Sequence, residues 1–203
     1  MHEPPLLAIM AKAPVCGAVK TRLAREIGAA AATSLARTLC AALLREAARD
    51  TRFRVALAVS PDAAVHAPFQ SWRLKPRVAR IAQGPGGLGA RMQRIFDCRG
   101  RGPLIIVGTD IPFVTRETLA HAFRQLRGAD AVFGPAEDGG YWLVGLRRRP
   151  RTLSPFQNVR WSSPHALADT LANLRGRRVA FAETLFDVDA LDGYRRFMRR
   201  RYR

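Results

Sequence analysis

The chain has 203 residues, is 48% hydrophobic and carries 34 Lys+Arg against 16 Asp+Glu, a formal net charge of +18; this length suits one domain over 1–203, and no apolar run nears the roughly 20 residues of a membrane span. Cys16, Cys40 and Cys98 are odd in number and widely spaced, and His2, His66, His121 and His165 share no ligand spacing, which argues against a disulfide framework and a zinc site. The start, Met1-His-Glu-Pro-Pro5, lacks the basic and then apolar pattern of a secretory signal, so the expectation is a cytoplasmic protein with reduced thiols.

In chain order, the apolar run 5–10 predicts a buried central strand that leads into a lysine-glycine loop. Residues 29–49 predict a helix: Leu35, Leu39, Leu43 and Leu44 form one stripe, and Gly28 marks a break before it. Strands follow at 54–60 and 78–82, then a flexible loop over 83–89 and a helical pattern over 88–96. Leu104-Ile-Ile-Val107 is the clearest buried strand, and Thr115 caps a helix to about 127 with Glu117 in its first turn. Two strands, 129–134 and 141–146, flank Glu137-Asp-Gly-Gly140. Ser162-Ser-Pro164 predicts the start of a helix to about 175, a last strand spans 179–182, and a closing helix starts near 191. This alternation predicts an α/β three-layer sandwich with a mostly parallel sheet and one antiparallel excursion around 138–146.

Open α/β sheets bind ligands at the carboxyl ends of their strands, where the loop from Lys12 to Arg22 and Asp110 both fall. The loop carries Lys12, Gly17, Lys20 and Arg22, so cationic side chains and free amides can surround a diphosphate; it has no Walker pattern, and a solvated basic loop is the alternative. Asp110, Asp187 and Asp189 can hold a divalent cation against phosphate oxygens. Residues two apart in an extended segment face the same way, so Asp187 and Asp189 can share one ligand while Val188 turns to the core. The competing reading makes Asp110 a turn residue before Pro112 and Asp189 a helix cap. Asp138-Gly-Gly-Tyr141-Trp142 can floor an acceptor pocket with Asp138 as base, or be a plain hairpin turn. Cys16 lies in the loop with no histidine beside it in sequence and reads as an incidental small residue rather than a nucleophile.

The basic excess is nearly all arginine, with lysine only at Lys12, Lys20 and Lys75, spread as on a solvated surface. Two denser runs stand out, Arg147-Arg-Arg149 with Arg151 and Arg195 to Arg203; the first holds no aromatic, the second holds Phe197 and Tyr202, and neither is read as the stacking surface of a single-strand binder. No specific nucleic-acid partner and no membrane partner are expected, although charge alone favours RNA adhesion at low salt.

Four motifs in order, Lys12-Ala-Pro-x-x-Gly17-x-Val-Lys20-Thr21-Arg22-Leu23, Leu88-Gly89-x-Arg91-Met92, Gly108-Thr-Asp110-x-Pro112 and Asp138-Gly-Gly-Tyr141-Trp-Leu-x-Gly145-Leu146, run through most of the chain. The set resembles the radical-SAM/selenodomain-associated transferase family, also known as arsenosugar-biosynthesis glycosyltransferases, over 6–197. The resemblance implies the nucleotide-diphospho-sugar transferase (GT-A) fold, with Lys12, Gly17, Lys20, Thr21, Arg22, Gly89 and Arg91 at the nucleotide and phosphates. It puts Asp110, Asp187 and Asp189 in the family's metal positions for Mg2+ or Mn2+, with Asp110 and Asp138 as the catalytic carboxylates. The fold also hosts molybdenum-cofactor guanylyltransferases and phospholactate or phosphoenolpyruvate guanylyltransferases. The first loop lacks their Gly-x-Gly-x-Arg run, which favours sugar transfer, and Gly86-Gly87-Leu88 stands where relatives carry an acidic residue before the leucine. The expectation is a metal-dependent transferase with a nucleotide-sugar donor and a small-molecule acceptor. Guanylyl or cytidylyl transfer from a nucleoside triphosphate is the alternative, and a basic nucleic-acid- or partner-binding protein with a decayed site is the third.

Overall fold

Along β1 (Leu6–Lys12), Leu7 and Ile9 pack with one core cluster and Ala8 with another, all fully buried, so the strand is covered on both faces as its unbroken apolar run predicts. The computed structural model describes residues 4–67, 78–98, 102–148 and 151–201; His2, Lys75, Arg149 and Arg203 of the sequence reading lie outside them. β1 pairs in parallel with β2 (Arg54–Ser60) and β4 (Leu104–Gly108), and β2 carries β3 (Ala79–Ala82) on its other side. β6 (Tyr141–Leu146) is antiparallel to both β4 and β5 (Ala131–Pro135), and β7 (Val179–Phe181) runs parallel to β5 at the edge. The seven-stranded order β3-β2-β1-β4-β6-β5-β7 is therefore a mostly parallel mixed sheet with the expected excursion at β6.

Helices α2 (Ala29–Ala48) and α4 (Arg116–Gly128) cover one face, where Leu43, Leu44, Leu119 and Phe123 meet Ile9, Leu57 and Ile105. α3 (Leu88–Phe96) covers the other, with Met92, Ile95 and Phe96 against Ile106, Phe133 and Val144. Thr115 caps α4 by accepting the Thr118 N–H at 3.2 Å, as its position predicts. These layers make the α/β sandwich that the alternation of elements predicts. No helix among the described residues is long and apolar enough to cross a membrane.

Two elements differ from the sequence reading. A separate helix, α1 (Thr21–Ile27), precedes α2, because Gly28 at φ 85 ends the first helix before the second begins. The helix predicted from Ser162 to about 175 is only α5 (Ala166–Ala172), with His165 at its N-cap. Ser162 takes φ 58, outside helical space, while the Ser163 hydroxyl donates to the Arg160 carbonyl and accepts the His165 N–H, building a turn in place of the first helical turn. The chain closes with α6 (Leu191–Arg201).

Candidate active site

Lys20 sits at the N-cap of α1 in a left-handed conformation (φ 47, ψ 46), with a side chain only 3% exposed. Its Nζ donates to Asp110 Oδ1 at 2.5 Å, to the Val188 carbonyl at 3.1 Å and to Asp189 Oδ1 at 3.2 Å. Asp110 follows β4, and its carbonyl accepts the Val188 N–H at 3.0 Å, which fastens the 187–189 segment to the carboxyl end of the sheet. Val188 is fully buried with Leu23 of α1, Leu35 and Leu39 of α2 and Phe197 of α6. That small core turns Asp187 and Asp189 outward, so the period-two reading of the segment matches its geometry. Three segments far apart in sequence therefore meet at one end of the sheet.

Burial alone pulls the Lys20 ammonium down, but Asp110 and Asp189 outweigh it and leave Lys20 above its ordinary value. Asp187 is pushed up to about 6, first by burial and then by Asp189, Asp138 and Asp110. Asp189 is raised by burial and Asp110, against the pull of Lys20 and Arg22. Crowding of carboxylates that raises one another's proton affinity is what a divalent cation relieves, and hard oxygen donors suit Mg2+ or Mn2+. Asp110 and Asp189 keep about half of their side-chain surface exposed, so the residues fit a metal. Among the described residues, however, no three acidic, histidine or cysteine side chains already form a metal cage; Lys20 bridges Asp110 and Asp189 instead.

A cleft of about 1040 Å³ opens over this cluster. Its lining includes the cationic and hydroxyl side chains of Lys12, Lys20, Thr21, Arg22 and Arg91 and, from later in the chain, Asp138, Tyr141, Trp161 and Ser162. Arg91 is held by its Nε to the Gly86 carbonyl at 2.7 Å and by Nη1 to Ser60 Oγ at 3.2 Å. Asp138 Oδ1 accepts the Gly140 N–H at 2.9 Å, so this residue is at once a turn former and a carboxylate on the cleft. Gly139, at φ 84, lies so close to the Pro164 backbone that a side chain there would collide with it, and this contact holds the Trp161 segment against the β5–β6 turn.

Gly17 and Gly89 stand apart from the cleft lining. Gly17 turns the loop at φ 78. Gly89 is a packing position inside α3, where a Cβ would come within 2.9 Å of the Phe156 carbonyl and the Trp161 ring. Cys16 is exposed and outside the lining, and burial pushes the Cys40 thiol up to about 12, which makes it a poor nucleophile. The sequence reading missed three contributors. Arg37 lines the cleft from α2 and donates to the Pro14 carbonyl at 3.1 Å. Gln83 is buried and bonds the Ala11 and Ala58 carbonyls at 3.2 and 2.8 Å, pinning the 83–89 loop to the ends of β1 and β2. The Val188 carbonyl is the third oxygen on Lys20.

The profile of a family described as an uncharacterized protein conserved in bacteria, DUF2064, matches residues 43–163. The chain belongs to the DUF2064 family. The DUF2064 match takes in Arg91, Asp110 and Asp138, while the Lys12–Arg22 loop and the Asp187–Asp189 segment lie on either side of it. A crystal structure from Desulfovibrio desulfuricans G20, provisionally assigned as a nucleotide-diphospho-sugar transferase, is 31% identical to this DUF2064 chain over 94% of this chain and 84% of its own, with a TM-score of 0.83. Two more distant structures share the fold. One is Rv0371c of Mycobacterium tuberculosis H37Rv in complex with manganese, 14% identical over 97% of this chain and 99% of its own at a TM-score of 0.55. The other is CMP:2-keto-3-deoxy-manno-octonic acid synthetase complexed with CTP, 11% identical over 98% and 100% at 0.60. The fold is thus that of nucleotide-diphospho-sugar transferases, as the sequence motifs imply. Among curated proteins, none matches the chain.

Proposed function

We propose that this protein is a metal-dependent transferase that takes a nucleotide-sugar donor and moves the sugar to a small acceptor, as one cytoplasmic domain over 1–203. The observation that carries the reading is the meeting, in one cleft, of a cationic loop and a carboxylate cluster at the carboxyl end of the sheet. In this reading Lys12, Arg22, Arg37 and Arg91 bind the donor's diphosphate. Asp110, Asp187 and Asp189 would hold Mg2+ or Mn2+, which neutralises the departing diphosphate. Manganese in Rv0371c and CTP in the octonic acid synthetase support a metal and a nucleotide on this fold. The motif resemblance to the arsenosugar-biosynthesis branch supports a sugar as the transferred group.

The acceptor wall from 136 to 166 carries no lysine or arginine among its described lining residues, and it offers Tyr141, Trp161, Ser162 and Ser163. Aromatic faces and hydroxyls suit an uncharged hydroxylated acceptor better than a phosphorylated one. The acceptor hydroxyl oxygen would attack the anomeric carbon as the bond to the diphosphate breaks. Asp138 takes the hydroxyl proton, and the nucleoside diphosphate leaves.

Nucleotidyl transfer is the second reading, supported by the synthetase that shares the fold. Thermal-shift and product assays with nucleotide-sugars and nucleoside triphosphates, each with and without Mg2+ or Mn2+, separate the two. Sugar transfer gives a metal-dependent stabilisation by a nucleotide-sugar and release of nucleoside diphosphate; pyrophosphate release from a triphosphate moves the assignment to nucleotidyl transfer. Asp110→Ala should lower turnover at least about 100-fold, the scale of losing a charge-stabilising group, with an unchanged circular dichroism spectrum. An unchanged rate overturns the metal assignment.

A further inference from the structure

An ammonium group has three N–H donors, and at Lys20 all three find oxygens: Asp110 Oδ1, Asp189 Oδ1 and the Val188 carbonyl. These are hard, anionic or carbonyl oxygens of the kind a divalent cation takes, and two come from residues assigned above to the metal. The Lys20 stem is buried, and its left-handed backbone aims it into the cluster. We propose, building on the transferase reading, that Lys20 is a built-in counter-cation that competes with the divalent metal for Asp110 and Asp189 and gives way only when a polyphosphate arrives.

The competition follows from geometry. A divalent cation held by Asp110 and Asp189 would lie beside the Lys20 ammonium that already bonds both Oδ1 atoms. The two like charges repel in a half-buried site, so the metal binds more tightly once the ammonium moves. A buried ammonium leaves its carboxylates only for another anion, because the alternative is an unpaired charge. Lys20 belongs to the loop whose Lys12 and Arg22 line the same cleft, so phosphate oxygens bound there are the anions within reach of its flexible stem. Metal and nucleotide then bind with positive coupling, and the coupling is reciprocal. The device keeps the carboxylates neutralised without metal and reserves the metal position for a charged donor.

The test is Mn2+ binding, read from loss of the free-ion electron paramagnetic resonance signal, on the full chain with Mn2+ alone and with UDP or GDP added. Lys20→Met keeps the stem's volume and removes the ammonium, and Lys20→Gln serves as a second variant; circular dichroism confirms the fold of each. Wild type should take up Mn2+ weakly alone and about tenfold or more tightly with a nucleotide, within the 5–150-fold span of coupled sites. Lys20→Met should bind Mn2+ alone about tenfold more tightly than wild type and lose most of the nucleotide effect. Arg25→Gln removes an exposed positive charge of α1 outside the cleft lining and should change Mn2+ affinity less than about threefold, on the scale of screened surface charges. If wild type shows nucleotide-coupled Mn2+ uptake but folded Lys20→Met or Lys20→Gln binds Mn2+ alone no better than wild type, the counter-cation role falls and the transferase reading stands. Equal gains in Arg25→Gln and Lys20→Met also overturn it, by showing bulk charge rather than competition. If wild type takes up no Mn2+ under any condition, both fall.

Discussion

At Asp169 a single carboxylate receives three donors of Arg160: the backbone N–H at 3.0 Å, Nε at 2.9 Å and Nη2 at 2.8 Å. The pair ties α5 to the residue before Trp161, which lines the cleft. The Arg160 side chain first, and then its backbone N–H, hold the Asp169 carboxyl well below the usual carboxylate range. A lowered folded-state value means that the pair stabilises the protein above the unfolded carboxyl value of about 3.9 and that this stability drains away as pH falls further. Wild type should therefore lose melting temperature below about pH 4 more steeply than Asp169→Asn, while the variant melts lower at neutral pH; parallel curves would remove the pair from the account. Residue identity made some of this site legible and some not. Asp187 and Asp189 were readable as a pair because alternation in an extended segment is local. The destination of Lys20 was not, because its side-chain partners lie 90 and 169 residues away and only tertiary packing brings them to it.

The elements that carry the site depend on one close approach. Gly193 in the first turns of α6 packs directly on the Asp187 carbonyl, and a Cβ there would also stand 3.2 Å from the Val188 Cα. Both are backbone atoms, so a side chain has to force α6 and the carboxylate segment apart rather than rotate aside. Gly193→Ala should cost about 1–3 kcal/mol in urea unfolding, the usual range for overpacking, and should lower metal-dependent turnover more than a distant substitution of equal stability cost. A loss of stability with turnover intact would show that the segment's position is not critical. The strands were legible because β1, β2 and β4 are short apolar runs with clear borders, and Leu88–Phe96 declared itself by its helical spacing. α1 escaped because seven residues are too few for a periodic signal, and α5 started late because serine turn chemistry beat the proline signal.

For the molecule as a whole, a net charge of +18 predicts attraction to any polyanion, and the arrangement of the arginines decides how much of it is specific. Several in the C-terminal helix are engaged locally. Arg196 pairs with both oxygens of Glu137 and lies 4.1 Å over the Phe186 ring, and Arg200 stacks 4.6 Å over Phe113. Phe113 and Phe186, rings of the kind a nucleic-acid surface uses for stacking bases, thus each already have one of the protein's own guanidinium groups over the ring. Binding to single-stranded RNA should be sequence-independent and fall linearly in log K against log salt. With 6–10 phosphate contacts the loss between 50 and 200 mM is on the order of 10³–10⁵-fold. Metal-dependent binding of a nucleotide in the cleft should survive the same change, because its carboxylates and loop cations act at contact distance, inside the screening length of about 8–10 Å. Fluorescence anisotropy of labelled RNA and of a labelled nucleotide across that salt series compares the two directly. RNA binding that persists at 200 mM with a preferred sequence, beside nucleotide binding that vanishes, would reverse the assignment toward a nucleic-acid-binding protein.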